Sequence, residues 1–342
     1  MFSTTWIVIL AACGGTPETQ EPTPAPAVEV APADPLRSRA AGTFGVLESE
    51  AKNPANPVTE AKITLGRALY YETRLSQDND ISCNSCHDLA AYGVDAGPTS
   101  TGHKGQKGGR NSPTVYNAAF HMTQFWDGRA ADVEAQAGGP VLNPIEMAMS
   151  SADDVVKKLK AIEGYPPLFA AAFDGDDPVS YDNLTKAIGA FERRLVTPAP
   201  FDAWLAGDDA AMTEAEKKGL TVFMDAGCTA CHTGPVLGGQ MYQKLGMVKA
   251  WDNPDLGRKE VTGKDADLQM FKVPSLRNIA KTGPYLHDGS ISDLSEMVHK
   301  MGEYQLGKDL SAEDVASIVA FLESLTGEID AEYTAKPDLP AG

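Results

Sequence analysis

The chain has 342 residues, a formal net charge of −18 and five cysteines. The length is sufficient for two domains, each with its own core. The acidic balance argues against nucleic acid or an anionic membrane surface as the partner. It suits docking with the basic patch of a soluble electron-transfer protein, although a solvated acidic surface also accounts for it.

A short apolar run at residues 6–12 ends in the letters LAAC and resembles the cleavage box of a bacterial lipoprotein signal peptide. We therefore predict a signal peptide over residues 1–13 and a lipid anchor on Cys13, with an ordinary signal-peptide cut as the alternative. Residues 14–56 are rich in Pro, Ala and Glu and are predicted to form a tether. No later apolar run is long enough to span a bilayer, so we expect a periplasmic protein held to a membrane through Cys13.

Two C-x-x-C-H motifs, CNSCH at 83–87 and CTACH at 228–232, carry the strongest chemical signal. In this motif two thiols attach to a c-type haem and the histidine ligates the iron. A zinc or thioredoxin-type cysteine pair is the alternative. Because haem c is attached outside the cytoplasm, the motifs also imply export. The predicted attachment and proximal residues are Cys83, Cys86 and His87 in one half and Cys228, Cys231 and His232 in the other.

The sequence around the first motif is repeated around the second. Helical apolar spacing precedes each motif, and Gly66 matches Gly219 within it. Further matched segments follow each motif: 113–119 with 274–280, and WDG at 126–128 with HDG at 287–289. Such a repeat indicates that the chain contains two copies of one type of domain.

An amphipathic helix is predicted to close each half, over residues 180–195 and 311–325. Ser311 fits a helix N-cap, and Gly327 fits a helix stop. A glycine-bearing helix, a haem motif and a closing helix make the order of cytochrome c. We therefore predict a mainly α fold of two cytochrome c-like domains, each with one covalently attached haem c. The predicted segments are 57–197 and 198–327, followed by a tail over 328–342.

The two halves differ in their candidates for the sixth iron ligand. An electron-transfer haem c commonly has methionine there, and Met301, followed by a glycine that eases close approach, is the favoured candidate in the C-terminal half. Met297, Met270 and His299 are the alternatives, since most methionines only fill cores.

The matching stretch of the N-terminal half has no methionine at these positions. Gln136 falls where Met297 stands, and residues 137–146 replace the stretch that carries Met301 and end at Glu146. A glutamate can relay a proton between the oxygens of peroxide, and an amide can hydrogen-bond the distal oxygen. A surface carboxylate and a packing amide are the alternative.

His103 lies in a glycine-rich segment, residues 101–110. A histidine on such a segment can cap the first haem in one state and swing away in another. A solvated basic loop is the alternative. His121, within the apolar repeat, is expected to be structural.

From about residue 57 to 327 the chain resembles the bacterial di-haem cytochrome c peroxidases. The strings that carry this resemblance are 82–87, 110–115, 124–130, 237–239 and 304–307. It implies that His87 holds a peroxidatic haem of low potential. It also implies that His232 holds a haem of high potential where electrons enter, with Met301 as its sixth ligand.

The resemblance also implies roles around the first haem. His103 matches the histidine that blocks the peroxidatic iron in the oxidised state and leaves on partial reduction. Gln136 and Glu146 match the pair in the peroxide pocket. Trp126 matches the tryptophan between the haems, where it assists electron transfer.

Calcium and the partners follow from the same resemblance. Asn111, with the carbonyls of Thr282 and Pro284, matches an interdomain calcium site, and oxygen ligands suit that hard cation. The family implies a homodimer that reduces hydrogen peroxide to water with electrons from a small periplasmic donor, a cytochrome c or a cupredoxin. The implied cofactors are two haem c and calcium.

Two rival functions remain open at this point. One is a di-haem enzyme that matures tryptophan-derived quinone cofactors; such relatives have tyrosine in place of the methionine ligand, and Tyr304 lies near Met301. The other is an electron carrier in which both irons are six-coordinate. It predicts no new spectral species when peroxide meets the half-reduced protein.

Overall fold

The computed structural model describes residues 1–6 and 34–342. Cys13 and the predicted lipoprotein cleavage box lie outside the described residues. Residues 1–6 carry no helix or strand. Across the described ranges, no helix combines the length and the apolar character that crossing a bilayer requires.

The described residues are mainly helical, as predicted. The α-helices are α1 (Pro35–Phe44), α2 (Glu60–Tyr70), α3 (Cys83–Cys86), α4 (Val133–Leu142), α5 (Ala152–Ala161), α6 (Tyr165–Ala172), α7 (Tyr181–Glu192), α8 (Pro200–Leu205), α9 (Glu214–Ala226), α10 (Lys259–Thr262), α11 (Leu294–Met301), α12 (Ala312–Glu323) and α13 (Ala331–Thr334). Strands β1 (Tyr242–Lys244) and β2 (Met270–Lys272) pair antiparallel, with Gln243 opposite Phe271. Short 3₁₀ turns cover Thr73–Leu75, Leu89–Ala91, His103–Gly105, Ala118–Phe120, Cys228–Ala230, Asp265–Asp267 and Ile279–Lys281, and a π turn covers Gly302–Leu306.

Buried apolar side chains form two main cores. The first joins α2, α4, α5, α6 and α7, with Leu69, Phe169 and Phe191 fully buried in it. The second joins α1, α8, α9 and α12 around Phe201 and Phe321. The architecture is therefore two cytochrome c-like domains, each with a core of its own.

The matched glycines allow the same helix crossing in both halves. A Cβ on Gly66 of α2 would overlap the carbonyl oxygen of Ala187 in α7. A Cβ on Gly219 of α9 would overlap the carbonyl oxygen of Ser317 in α12. Glycine is needed at both positions because backbone approaches backbone there.

Matched asparagines fasten the loop after each haem motif to the end of its closing helix. The backbone N–H of Asn117 donates to the Leu195 carbonyl at 2.7 Å, and that of Asn278 to the Leu325 carbonyl at 3.0 Å. Both side-chain amides donate to the Oγ1 of Thr197 at 2.9 Å. Thr197, in the segment between the halves, therefore ties the two repeats together.

The closing helices begin as predicted and end earlier. Ser180 and Ser311 are their N-caps, and each hydroxyl accepts the backbone N–H three residues on. The helices end at Glu192 and Glu323. Gly327 does not stop a helix; a Cβ there would overlap the carbonyl oxygen of Thr197, so its glycine serves close packing.

The predicted tether over residues 14–56 contains helix α1. Helix α1 buries Ala40 and Phe44 in the second core, and the Phe44 ring meets Phe201 edge-on with centroids 5.6 Å apart. The composition of the segment did not predict this helix, because two buried apolar side chains suffice to dock a helix on the surface of a folded core.

The predicted tail over residues 328–342 packs on the first domain. The Tyr333 ring stacks on Phe191 with centroids 5.1 Å apart, and the Tyr71 hydroxyl donates to the Thr334 carbonyl at 2.5 Å. The C-terminal residues therefore pack on the first domain, whereas α1 packs in the second core. Local sequence does not reveal either partner.

Candidate active site

The first C-x-x-C-H motif opens onto a cavity of ≈ 810 Å³. The cysteines of the motif occupy the one-turn helix α3, where positions three apart share a face. The Ser85 hydroxyl accepts the Ser82 backbone N–H at 3.0 Å and fixes the start of that turn. Cys83, Cys86 and His87 all line the cavity wall.

The second motif lines a smaller cavity of ≈ 230 Å³. The backbone 3₁₀ turn Cys228–Ala230 brings Cys228, Cys231 and His232 to its wall. The Nδ1 of His232 lies 3.0 Å from the Leu237 carbonyl oxygen. This contact leaves Nε2 available for a metal, as in most histidine ligands.

The residues present fit two covalently attached haems. All four motif cysteines are free of disulfides, so their thiols are available for attachment. Burial lowers the pKa of both His87 and His232, which favours the neutral imidazole that ligates iron. The Nδ1 of His87 is buried without a hydrogen-bond partner among the described residues.

Gln136 and Glu146 both lie on the wall of the first cavity. Helix α4 carries Gln136, and the turn after that helix carries Glu146. The Asn143 amide donates to Glu146 Oε1 at 2.9 Å. Burial raises the pKa of Glu146, although Arg129 and Asn143 oppose the shift. A carboxyl whose pKa is raised above the usual glutamate range holds a proton more readily and can act in proton transfer.

His103 is buried but does not line the first cavity. Its Nδ1 lies 3.4 Å from Asp78 Oδ2. Its backbone N–H donates to the Glu146 carbonyl at 2.8 Å. A Cβ on the preceding Gly102 would overlap the Ile145 carbonyl oxygen, so glycine allows this segment to lie directly on the Glu146 turn. The loop of His103 and the turn of Glu146 are therefore attached to each other.

The structure reduces the candidates for the sixth ligand in the second cavity from four to two. Met297 and Met301 both line that cavity, whereas Met270 and His299 do not. Met301 is the last residue of α11 and precedes the π turn, a feature often found at functional sites.

Trp126 lies between the two cavities and lines both. Its Nε1 donates to the Asn111 carbonyl at 2.9 Å, and its carbonyl accepts the Lys272 backbone N–H at 2.7 Å. Its ring meets that of His287 edge-on, with centroids 6.3 Å apart. Since His287 is the repeat partner of Trp126, the two halves meet at equivalent residues.

The three residues predicted to bind calcium belong to the wall of the second cavity. Asn111, Thr282 and Pro284 all line it. The Asn111 Nδ2 donates to the Gly97 carbonyl at 3.0 Å, which leaves Oδ1 as the atom available for a cation. Within the described ranges, no cluster of three or more His, Cys, Asp or Glu side chains could hold a metal, so this set depends on amide and carbonyl oxygens.

Arg129 is a site residue to which the sequence analysis assigned no role. It lines the first cavity, and its guanidinium lies 3.5 Å from the Phe125 ring centroid. It pairs with Asp127 Oδ2 at 3.0 Å and opposes the rise in the pKa of Glu146. Arg129 could have been found from the sequence, because it lies in the string 124–130 that carries the family resemblance.

Arg110 joins the glycine-rich segment to the second domain. Its guanidinium pairs with Asp127 at 2.6 Å, with Asp255 at 2.7 Å and with Glu260 at 2.9 Å. A single cation thus links the end of the His103 loop to two carboxylates of the C-terminal half.

Lys272 is a second residue that sequence analysis missed. It lines the second cavity, and its Nζ lies 3.0 Å from His121 Nδ1. Burial lowers the pKa of Lys272 to about 7. The pair accounts for His121 as part of the cavity wall.

Comparisons with known proteins give a consistent result. A profile for a family described as "Di-haem cytochrome c peroxidase" matches residues 60–210, and one described as "Cytochrome c" matches residues 216–326. The chain is 46% identical over 310 residues to the cytochrome c551 peroxidase of Pseudomonas aeruginosa, covering 88% of this chain and 89% of that protein. It is 47% identical over 268 residues to the cytochrome c551 peroxidase of Nitrosomonas europaea, covering 77% and 79%.

A solved structure agrees with these sequences. The crystal structure of a MauG-like protein associated with microbial copper homeostasis superposes with a TM-score of 0.78 at 30% identity. The match covers 85% of this chain and 97% of that one.

Proposed function

Because the chain belongs to the di-haem cytochrome c peroxidase family, we propose that electrons enter at the C-terminal haem and are used at the N-terminal haem to reduce hydrogen peroxide. The protein is a peroxidase with two haem c groups, and it takes hydrogen peroxide as substrate and electrons from a donor. The observation that carries the assignment of roles is the contrast between the cavities. Gln136 lines the first cavity at the repeat position where Met297 lines the second, and Glu146 adds a carboxyl to the first cavity; Met147 also lines the first cavity, but Met301 has no methionine at the matching repeat position.

Each haem, when bound, supplies an iron that carries electrons, and the iron in the first cavity also offers a position to peroxide. His87 and His232 would hold the irons, and Cys83 with Cys86 and Cys228 with Cys231 would attach the macrocycles. In our proposal Met301 would also hold the second iron. The first cavity would leave room beside its iron for substrate.

Gln136 binds the substrate in the first cavity, and Glu146 moves a proton within it. The amide of Gln136 hydrogen-bonds the distal oxygen of peroxide, and the Glu146 carboxylate moves a proton from one oxygen to the other. The raised pKa of Glu146 supports this role, because burial brings the carboxyl closer to balance between accepting and returning a proton. The positive charge of Arg129 opposes that rise.

The position of His103 supports an open first cavity in this conformation. Asp78 holds the ring outside the cavity wall, and the backbone of His103 is bonded to the Glu146 turn. We propose that the blocked state, in which His103 caps the iron, requires the glycine-rich segment to move as a unit. The same movement would displace Glu146, so capping and loss of the proton relay go together.

Trp126 assists transfer between the haems in this proposal. Its ring contributes to both cavity walls, and its two backbone-linked contacts hold it in place. Calcium bound by Asn111 with the carbonyls of Thr282 and Pro284 would fix the carbonyl of Asn111, to which Trp126 donates. A cation there would stabilise the open arrangement.

The partners and the location of the protein are also part of this proposal. We propose a periplasmic homodimer that receives electrons from a cytochrome c or a cupredoxin and is anchored by lipid at Cys13. The supports are the attachment chemistry of haem c, the acidic surface and the cleavage box of the sequence.

The cofactor-maturing function is less well supported by the geometry. Tyr304 does not line the second cavity. Its ring meets Trp251 edge-on at 4.6 Å, and Lys249 lies 4.7 Å from it. Met301 lines that cavity and Tyr304 does not, which supports Met301 over Tyr304 as the proposed ligand.

A spectrum of the half-reduced protein tests the proposed function. We expect a high-spin haem that disappears when stoichiometric peroxide is added, with the low-spin haem oxidised in the same reaction. A carrier with two six-coordinate irons would show no high-spin species and no change of spin state. That second result would exclude the peroxidatic role of the first haem.

Substitution separates the two methionines. Met301→Ala is expected to convert the C-terminal haem from low spin to high spin, because the iron loses its sixth ligand. Met297→Ala is the matched control; it removes a buried side chain one helical turn away and leaves the spin state unchanged. Optical and EPR spectra of the reduced and oxidised proteins measure the spin state of each variant. If the outcomes are exchanged, Met297 is the ligand.

A further inference from the structure

Glu192 is a buried carboxyl on the wall of the first cavity that has no part in the mechanism above. It is the last residue of α7, and only 5% of its surface is exposed. Its side chain makes no hydrogen bond to any described residue. Its carboxyl oxygens are not among the fully buried polar atoms that lack a partner in the described residues, so they face the open space of the cavity.

The one cation beside Glu192 is already neutralised. Arg193 binds Glu134 through two bonds, Nε to Oε1 at 2.8 Å and Nη2 to Oε2 at 2.5 Å. Asn56 donates a further bond to Glu134 at 2.9 Å. Glu134 and Glu192 both lie beside the Arg193 guanidinium, but only Glu134 forms hydrogen bonds with it.

The other ionisable groups that face Glu192 add no positive charge. Tyr70 comes from α2, Cys83 from the haem motif and Glu134 from α4. Cys83 is an uncharged thioether once haem is attached. Burial and then Glu134 raise the pKa of Glu192 to about 8 against the opposing charge of Arg193, which favours the protonated carboxyl at pH 7.

Peroxide reduction consumes protons that the relay does not supply. Each hydrogen peroxide takes up two electrons and two protons and gives two waters. When Glu146 moves a proton from one peroxide oxygen to the other, the cavity gains none. Both net protons must reach the cavity from other groups or from solvent.

We propose that Glu192 is a proton donor to the first cavity and supplies one of the two protons consumed per peroxide. Its O–H bond breaks and a new O–H bond forms, directly or through one water, on the oxygen released as water. Glu192 becomes a carboxylate and regains its proton from solvent before the next turnover. The electrons come from the haems and donor, so the step moves a proton only. This inference rests on the proposed peroxide site at the first haem.

Infrared spectroscopy of the resting holoenzyme tests the protonation state without turnover. Wild type is expected to show a protonated-carboxyl C=O band that disappears as pH rises through about 8. Glu192→Gln should lack that band, and the surface control Glu60→Gln should retain it. If the band is absent from wild type, or unchanged in Glu192→Gln, the proposal is overturned.

Turnover supplies the second measurement. Glu192→Gln keeps the shape but cannot release a proton, and its kcat is expected to fall by about 10² with loss of the alkaline limb near pH 8. Glu192→Asp should restore part of the rate and the limb, whereas Glu60→Gln should match wild type. A wild-type kcat and pH profile in Glu192→Gln would overturn the proposal. Failure of the proposed peroxide site would instead appear in wild type itself, as no spin-state change on adding peroxide.

Discussion

Replacing Glu146 by glutamine is expected to lower kcat for peroxide reduction by about 10² to 10⁴, with both haems still attached. Glutamine keeps the size of the side chain and its bond from Asn143, but it cannot accept and return a proton. Steady-state turnover with a reduced donor and stopped-flow mixing with peroxide measure the effect. Unchanged peroxide binding and turnover in Glu146→Gln would show that the acid–base assignment is wrong.

The role of Glu146 as a base also predicts the direction in which the rate changes with pH. The carboxylate form accepts the proton, so kcat/KM should rise with pH through the pKa of Glu146, which burial places above the usual glutamate range. The Asn143 amide lowers that pKa through its bond at 2.9 Å. Asn143→Ala should therefore move the acid limb to higher pH while keeping the plateau. A shift to lower pH would contradict the assignment.

Gly66→Ala and Gly219→Ala are each expected to reduce the free energy of unfolding by about 3 kcal/mol, the upper end for overpacking. The new Cβ would overlap a backbone carbonyl oxygen, of Ala187 or of Ser317, and no side-chain rotation relieves a clash with backbone. The crossing helices must separate, which opens the core beside each haem motif. Thermal and denaturant unfolding of the holoprotein measure the loss.

Gly42→Ala is the control for these two substitutions. Gly42 is also helical, in α1, but it is exposed and a Cβ there meets nothing within 4 Å. Alanine should be neutral or stabilise by up to about 1 kcal/mol through helix propensity. If all three variants unfold alike, close backbone approach is not the reason for the matched glycines.

Much of the fold could be predicted because residues close together in the sequence specify it. The haem motifs specify chemistry within five residues, and the caps Ser180 and Ser311 act on N–H groups three positions away. The repeat made the two-domain architecture visible, since each segment had a second copy for comparison. What failed were segments whose partners are distant, namely α1 and the C-terminal residues, because their apolar side chains are few and their receiving surfaces form only on folding.

The sequence by itself located the two C-x-x-C-H motifs, predicted the two haem c groups and showed that the two halves carry different residues at matched positions, since these features depend on residue identity and short spacing. Only the tertiary structure decided which groups face a cavity. It placed His103 against Asp78, left Met297 and Met301 as the two candidates, set Trp126 between the cavities and showed Glu192 without a counter-ion. The physical reason is that direction, burial and competition for one cation arise from packing between segments far apart in the chain.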